Sequence, residues 1–266
     1  MSEPAKVLTI AGSDSGGAAG LQADLKTFSA LGVYGMSVIT VVTAQNSVHV
    51  VATQPLPPPF VTQQLDAVLS DYGAQAVKTG FLGSAATISA VAARLRAYRP
   101  QHLVVDPVLV NHRGETMFAA AVTAAYRAHL LPLADLITPN GAEAGLLADR
   151  VVTSTADMAE AARTLHAAGP AHVLISGGRE GNVMVDLFYD GRRPSLLRTP
   201  RIATENTHGS GDTLSAAVVA LLARGLPMAE AVRRAHAFTA RAIAGAAAWQ
   251  LGAGHGPLNH LRGQEG

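Results

Sequence analysis

The sequence predicts one α/β domain, in which a mostly parallel sheet is covered by helices on both faces. Short apolar runs that suit buried strands alternate along the chain with longer runs of helical periodicity. Hydrophobic residues make up 48% of the 266 residues, which provides enough apolar side chains for one large core. The chain shows no internal repeat and no linker, so a single domain over residues 1–266 is expected.

The individual elements follow from length, periodicity and turn residues. The predicted strands are Val7–Ala11, Met36–Val42, Ala76–Thr79, Leu103–Asp106, Leu136–Thr138, His172–Ser176 and Val183–Tyr189. The predicted helices are Leu21–Leu31, Phe60–Asp71, Ala85–Tyr98, Ala119–Leu130, Ala156–Ala168, Thr213–Ala223 and Met228–Ala247. Because Asp190-Gly191 and the apolar run 196–200 follow Val183–Tyr189, we expect a hairpin near one edge of the sheet.

The most specific local feature is a glycine turn, Gly209-Ser210-Gly211-Asp212, that opens the helix Thr213–Ala223. Glycines let the backbone approach a ligand closely, and the first N–H groups of a helix attract anions. Asp212 stands beside this anion seat as a candidate proton acceptor. The turn therefore predicts phosphoryl transfer to a hydroxyl, with these four residues as the catalytic group. The alternative is an ordinary helix start with a stabilising Asp.

Polar residues also follow several predicted strands, where open α/β sheets bind ligands. Gly12 opens a small-residue loop that lacks both G-x-G-x-x-G and a Walker A lysine. Asp106 ends one strand, and Asn140 and Glu143 follow the next with a spacing that puts both on one helical face. Such oxygen donors can order Mg²⁺ and its waters. A loop-capping Asp and a helix N-cap followed by Glu are the alternatives.

Ordered matches along almost the whole chain resemble one family. They are 26–35, 37–40, 44–46, 78–82, 104–108, 137–140 with Glu143, 206–209 and 254–257. On these residues the chain resembles the hydroxymethylpyrimidine/phosphomethylpyrimidine kinases of thiamin biosynthesis, in the ribokinase-like superfamily. The resemblance implies a three-layer α/β/α sandwich. It also implies a homodimer that uses ATP and Mg²⁺ to phosphorylate 4-amino-5-hydroxymethyl-2-methylpyrimidine and then its monophosphate.

The resemblance assigns site residues as well. Around the aminopyrimidine it places Gly12, Ala19, Asp24, Val42, Gln45 and Val108. The amide of Gln45 can pair with a ring nitrogen and an exocyclic amine together. On the ATP side the resemblance places Asn140, Gly177, Gly178 and Thr207, and near Mg²⁺ it places Asp106 and Glu143.

The sequence departs from the family at two positions. Ser176 stands where related pyrimidine kinases often carry Lys, which removes a cation from the expected ATP site, and Arg179 is close enough in sequence to replace it. Asp212 stands where these kinases commonly have Cys and many vitamin B6 kinases have Asp, so a pyridoxal kinase is the alternative function. Lys78, a lone lysine at a strand end, is expected to be solvated.

Composition argues against other classes of protein. A net charge of +1 without a basic cluster argues against nucleic acid, and the absence of Cys excludes disulfides and thiolate chemistry. No apolar leader and no membrane-length apolar window are found, so a cytoplasmic location is expected. A nicotinamide-dependent oxidoreductase is disfavoured by the missing glycine fingerprint. A ligand-binding module that has lost catalysis stays open, because Ser176 replaces the expected Lys.

Overall fold

The computed structural model describes residues 3–111 and 113–264, so residues 1–2, 112 and 265–266 of the expected domain lie outside the described residues. The strands are β1 Lys6–Asp14, β2 Tyr34–Gln45, β3 Val50–Pro55, β4 Ala76–Thr79, β5 His102–Val105, β6 Leu136–Ile137, β7 His172–Glu180, β8 Val183–Tyr189 and β9 Pro194–Pro200. The α-helices are α1 Gly20–Ala30, α2 Pro58–Asp71, α3 Ala85–Tyr98, α4 Ala120–Ala125, α5 Gly141–Ala148, α6 Thr155–Ala167, α7 Ser210–Ala223 and α8 Met228–Ala246.

These strands form one nine-stranded sheet in the order β3-β2-β1-β4-β5-β6-β7-β8-β9. The strands from β2 to β7 in this order pair in parallel, so their carboxyl ends lie along one edge. β3 pairs antiparallel at one side of the sheet, and β8 and β9 pair antiparallel at the other. The hairpin expected after residue 183 is therefore confirmed. The sequence did not indicate β3, because all its residues are exposed and give it no apolar period.

The core lies in two layers, one on each face of the sheet. Successive residues of β1 point to opposite faces, so Leu8 packs in one layer and Val7 in the other. The first layer includes side chains of α2, α3 and α6, whereas α1, α7 and α8 close the second. The expected three-layer arrangement follows directly from this alternation.

Two element boundaries differ from the predicted ones in ways that affect the site. Helix α7 starts at Ser210, so Gly211 and Asp212 lie in its first turn and not before it. Strand β7 continues to Glu180, so Gly177 and Gly178 lie inside a strand and not in a loop after it. The register of β7 against β8 shifts between Ile175 and Gly178, and this bulge lets a glycine pair interrupt a strand without ending it.

Helical structure also differs from the prediction in two places. The helix expected over Ala119–Leu130 is α-helical only to Ala125 and continues as a π-helical turn, Tyr126–Leu130. The eight-residue helix α5 was not predicted, since so short a segment shows little periodicity. Its N-cap is Asn140, which lies three residues after the end of β6.

Candidate active site

Residues from four parallel strands meet at the carboxyl edge of the sheet. Gly12 lies in the irregular end of β1, where the register against β2 shifts. Asp106 follows β5 directly, and its N–H donates to Thr79 of β4 over 2.9 Å. Asn140 follows β6 and bridges to Ser176 of β7. This edge therefore brings together positions that are far apart in the sequence.

The glycine turn at the start of α7 lies against the loop that follows β1. Gly209 is the N-cap of α7 with a φ of 82°, and a Cβ at this position would overlap the carbonyl oxygen of Ala18. Gly211, by contrast, is exposed, and a Cβ there would meet nothing within 4 Å. The N–H of Ser210 donates to the carbonyl of Thr207 over 3.1 Å, whereas within the described residues those of Gly209, Gly211 and Asp212 have no acceptor, which suits an anion seat.

Asp212 contacts Lys78, a residue for which the sequence predicts a position in solvent. Lys78 is completely buried, and its Nζ lies 3.1 Å from Oδ1 of Asp212, 2.6 Å from Oδ1 of Asp24 and 3.7 Å from Oδ2 of Asp106. We refer to these four residues, Asp24, Lys78, Asp106 and Asp212, as the lysine cluster. The expectation of a solvated Lys78 is wrong, because every residue of the central strand β4 is buried.

The lysine cluster holds one cation among three carboxylates. Burial lowers the pKa of Lys78, but Asp24, Asp212 and Asp106 outweigh this effect and raise it, so the ammonium stays charged. Burial raises the pKa of Asp24 to about 7 and that of Asp106 to about 6, against the attraction of Lys78. One ammonium faces two buried carboxylates and the partly exposed Asp212, so its attraction does not offset the effect of burial on the pKa values of Asp24 and Asp106.

Asp24 differs from its predicted role. It was expected to bind substrate, but it is completely buried, and its two carboxylate oxygens accept hydrogen bonds from Lys78 and from Thr9 Oγ1, each over 2.6 Å. A carboxylate with both oxygens occupied and no exposed surface cannot contact a substrate directly. Asp24 instead fixes the position of Lys78.

Asn140 and Glu143 form a capping box at the start of α5. The N–H of Glu143 donates to Asn140 Oδ1, and the N–H of Asn140 donates to Glu143 Oε2, both over 3.0 Å. Glu143 Oε1 accepts a third bond from the N–H of Leu109. Burial and the neighbouring Asp106 raise the pKa of Glu143 to about 7. Glu143 therefore joins α5 to the segment after β5.

Of the two residues expected near Mg²⁺, Asp106 is better suited to bind the ion than Glu143. Asp106 Oδ2 accepts a hydrogen bond from the hydroxyl of Ser215 over 2.7 Å, and within the described residues its Oδ1 accepts none. Both oxygens of Glu143 are already occupied by backbone N–H groups. In residues 3–111 and 113–264, no group of three His, Asp or Glu side chains could hold a metal alone. Mg²⁺ commonly binds through one carboxylate, waters and substrate phosphates, and Asp106 suits that mode.

Gln45, the last residue of β2, lines a cavity of about 830 Å³. Its Nε2 lies 3.0 Å from Nε2 of His208, which precedes the glycine turn. Gln45, His208 and Ala18 line this cavity, together with Trp249. Asp14, from the same loop, accepts hydrogen bonds from the N–H groups of Ala18 and Ala19 over 2.9 Å and so fixes the loop beside the cavity.

Four further residues expected to bind substrate lie at or after the ends of strands. Gly12 lies beside Phe81, Ala19 is the N-cap of α1, and Val42 is 43% exposed near the end of β2. Val108 follows Asp106 and is partly exposed. These positions and that of Gln45 lie towards the carboxyl ends of β1, β2 and β5.

The residues expected on the ATP side lie on β7 and before α7. Gly177 has a φ of 82°, and its N–H donates to Asp186 Oδ1 over 3.0 Å. Asp186 Oδ2 lies 2.9 Å from Nδ1 of His236 on α8. Thr207 Oγ1 lies 2.8 Å from Nε2 of His255. The sequence does not indicate the Asp186–His236 pair, because the two residues are 50 positions apart in the chain.

Arg179 is the residue that the sequence offers as a replacement for the cation missing at Ser176. It donates from Nε to the carbonyl of Gly181 in its own hairpin turn, so its guanidinium is engaged locally.

The burial of Lys78 could have been inferred from its place in the short apolar run 76–79, since a central strand is covered on both faces. Its carboxylate partners come from α1, α7 and the end of β5, and only the fold brings them together.

Comparison with known proteins agrees with this geometry. Residues 14–259 match the family model described as phosphomethylpyrimidine kinase. The chain is 47% identical over 258 residues to the hydroxymethylpyrimidine/phosphomethylpyrimidine kinase of Rhizobium meliloti strain 1021, a match that covers 96% of each chain. The chain belongs to the phosphomethylpyrimidine kinase family.

Some members of the phosphomethylpyrimidine kinase family are longer than this chain. The thiamine biosynthesis bifunctional protein ThiED of Geobacter sulfurreducens is 46% identical over 260 residues. That match covers 97% of this chain but 53% of the relative, so the chain spans about half the length of this bifunctional protein.

Solved structures support the family assignment and the fold. An ADP complex of Bacillus subtilis pyridoxal kinase matches with a TM-score of 0.91 and 38% identity, covering 97% of this chain and 98% of that one. The phosphomethylpyrimidine kinase of Clostridium difficile 630 matches with a TM-score of 0.81 and 37% identity, covering 90% and 99%. The expected ribokinase-like fold is therefore confirmed.

Proposed function

We propose that this chain transfers the γ-phosphoryl group of ATP to 4-amino-5-hydroxymethyl-2-methylpyrimidine and then to the resulting monophosphate. The observation that carries this proposal is the first turn of α7, where within the described residues the N–H groups of Gly211 and Asp212 have no acceptor and the Asp212 carboxylate stands beside them. Fixed N–H donors stabilise charge that develops on a transferring phosphoryl group. Family membership supplies the substrate class.

The donor would lie along the edge from β7 to α7. Asn140, Gly177, Gly178 and Thr207 are proposed to contact ATP. The N–H groups of Gly209, Gly211 and Asp212 are proposed to bind the transferring group, while the N–H of Ser210, which donates to Thr207, holds the turn in shape. A structural neighbour supports this proposal, because the Bacillus subtilis pyridoxal kinase forms a complex with ADP. Asp106 would hold Mg²⁺ beside the phosphates, with Glu143 keeping the neighbouring segment in place.

When bound, Mg²⁺ supplies charge neutralisation to the phosphate oxygens. The chain's own residues then do the rest of the chemistry. Gln45 is proposed to orient the aminopyrimidine by its amide, and the loop at Ala19 and the side chain of Val42 are proposed to complete the acceptor pocket. Gly12 and Val108 are proposed to border the same pocket at the ends of β1 and β5.

The two steps place different demands on Asp212. In the first, the nucleophile is a neutral hydroxymethyl group, so Asp212 accepts its proton; a positioned base contributes about 10²–10⁴-fold. In the second, the nucleophile is a phosphate monoester that is already largely ionised at neutral pH, since its second pKa is about 6. Asp212 therefore matters for the alcohol step far more than for the monophosphate step.

Single-turnover rates on the two acceptors test this proposal. Asp212→Asn keeps the backbone donors and removes the proton acceptor, so we expect a loss of about 10²–10⁴-fold on the alcohol and a much smaller change on the monophosphate. Asp71→Asn, at the exposed end of α2, is the matched control and should change neither rate. Equal losses on both acceptors would contradict the base role of Asp212.

Pyridoxal phosphorylation is the second candidate, because the Bacillus subtilis pyridoxal kinase superposes with a higher TM-score than the Clostridium difficile enzyme. A direct comparison of kcat/KM on pyridoxal and on the aminopyrimidine decides between them. No turnover of the monophosphate together with efficient turnover of pyridoxal would favour the alternative.

A homodimer in the cytoplasm completes the proposal. Exposed apolar side chains along β2, β3 and α2 support a contact between copies, and they include Val42, Val50, Val51 and Phe60. Light scattering of the purified chain measures the oligomeric state. Within the described residues, no helix has both the length and the apolar character needed to cross a membrane.

A further inference from the structure

Lys78 is a buried charge that the proposed chemistry does not use. It is completely buried on the central strand β4, yet its Nζ contacts Oδ1 of Asp212, a side chain that is 16% exposed. Buried ion pairs seldom stabilise a fold more than well-packed apolar residues would. A lysine in a central strand, in contact with the proposed base, therefore points to a role at the site.

The position of Lys78 is fixed from the side away from the crevice. Asp24 on α1 binds its Nζ over 2.6 Å, and Asp24 is itself fixed by the hydroxyl of Thr9, which pairs with Lys78 across β1 and β4. Thr9, Asp24 and Lys78 thus form a rigid chain behind Asp212.

This chain engages one oxygen of Asp212 and leaves the other available. Lys78 donates to Oδ1 over 3.1 Å, and within the described residues Oδ2 accepts no hydrogen bond. A carboxylate anchored by one oxygen presents the second in a defined direction. Orientation of a reacting group has a large effect, because a misplacement of about 1 Å can cost 10²-fold in rate.

We propose that Lys78, held by Asp24 and Thr9, is the positioning residue that aims the free oxygen of Asp212 at the acceptor hydroxyl. This inference rests on the proposed function, in which Asp212 takes the proton of the alcohol. Lys78 has no exposed surface and does not contact substrate, so it acts through Asp212 and not on the phosphoryl group.

A double-mutant cycle between Lys78 and Asp212 tests the inference. We expect Lys78→Met to lower the single-turnover rate on the alcohol by about 10- to 100-fold when Asp212 is present. In the Asp212→Asn background, the same substitution should change the residual rate by less than about threefold, since the group it positions is gone. KM for ATP should stay unchanged in all variants. Lys6→Met, at the opposite end of β1, is the matched control and should leave the rates unchanged.

Similar fold-losses in both backgrounds would overturn the inference, because they would mean that Lys78 acts on the fold as a whole. An unchanged alcohol rate in Lys78→Met would overturn it as well. Failure of the proposed function itself is distinguishable, since the wild-type chain would then not phosphorylate the alcohol at all.

A second variant covers the case in which Lys78→Met does not fold. Asp24→Asn is isosteric and retains the lysine, but it removes the charge that anchors Nζ. We expect it to lower the alcohol rate about fivefold with Asp212 present and by less than about twofold in the Asp212→Asn background. Equal effects of Asp24→Asn in the two backgrounds, or none in either, would overturn the inference.

Discussion

Gly209 and Gly211 stand in the same turn for different physical reasons. Gly209 needs a φ of 82° and lies against the backbone of Ala18, so a side chain there would disturb the junction between two loops. Gly211 has neither constraint, since a Cβ would meet open space. The fold therefore requires glycine at position 209 but not at position 211. At position 211, the absence of a side chain leaves space for the proposed ligand.

Substitution of Gly211 by Val separates access from folding. We expect Gly211→Val to keep the wild-type thermal midpoint and to lose about 10²–10³-fold in kcat, because the branched side chain holds the phosphoryl group away from the N–H donors. Thermal unfolding and steady-state turnover measure the two effects. Normal turnover in a folded Gly211→Val protein would contradict the anion-seat role of this turn.

Gln45 gives a second prediction at the scale of a single residue. A site that hydrogen-bonds its substrate leaves its own polar atoms unpaired when the partner group is missing. We therefore expect Gln45→Ala to raise KM for the aminopyrimidine by roughly 10- to 100-fold and to leave KM for ATP unchanged. Gln54→Ala, on the exposed strand β3, is the control and should affect neither. An equal rise in KM for ATP would mean that the acceptor pocket lies elsewhere.

At the scale of elements, the sequence predicts those parts of the site that depend on neighbours in the chain. The anion seat could be predicted because a glycine turn, a carboxylate and a helix follow one another within 209–223. Lys78 could not be assigned in this way, since its partners come from α1, α7 and the end of β5. The predicted end of β7 at Ser176 is too early. Gly177 and Gly178 indicate a turn locally, but pairing with β8 overrides that tendency.

The C-terminal turn His260–Gln264 supports the start of α7 from behind. His260 is buried, and its Nε2 lies 3.0 Å from Oγ1 of Thr213, which donates to the carbonyl of Gly209 over 2.8 Å. Because the Thr213 hydroxyl gives its hydrogen to Gly209, the ring must donate through Nε2. A neutral His260 thus connects the end of the chain to the glycine turn.

This contact predicts a dependence of stability on pH. Burial, assisted by Lys26, lowers the pKa of His260 from 6.5 to about 4, so the unfolded chain binds a proton more readily in this interval. The contribution of His260 is fully present above pH 6.5 and is lost as pH falls towards 4, by about 2 kcal/mol between pH 7.5 and 5. Urea unfolding of wild type and His260→Gln at both pH values isolates it. A difference between the two proteins that stays constant with pH would contradict the prediction.

At the scale of the whole molecule, the sheet separates the core into two layers, but the layers do not correspond to two domains of the chain. Each layer contains side chains from both halves of the sequence, since Leu8 and Leu165 lie in one layer and Val7 and Phe238 lie in the other. Phe238 of α8 and Leu165 of α6 belong to opposite layers, and each is 1% exposed. Loss of either layer would expose the same strands, so the two layers are expected to unfold together.

The unfolding of the whole chain tests this expectation of one cooperative domain. Far-UV circular dichroism reports all helices and strands, whereas fluorescence of Trp249, the single tryptophan in the sequence, reports the region beside the cavity that Gln45 lines. We expect coincident urea transitions with both probes. Phe238→Ala and Leu165→Ala should each lower the free energy of unfolding by about 2–5 kcal/mol and shift both transitions together. If Phe238→Ala shifted only one transition, the two faces of the sheet would be separate folding units, and the single-domain prediction would be wrong.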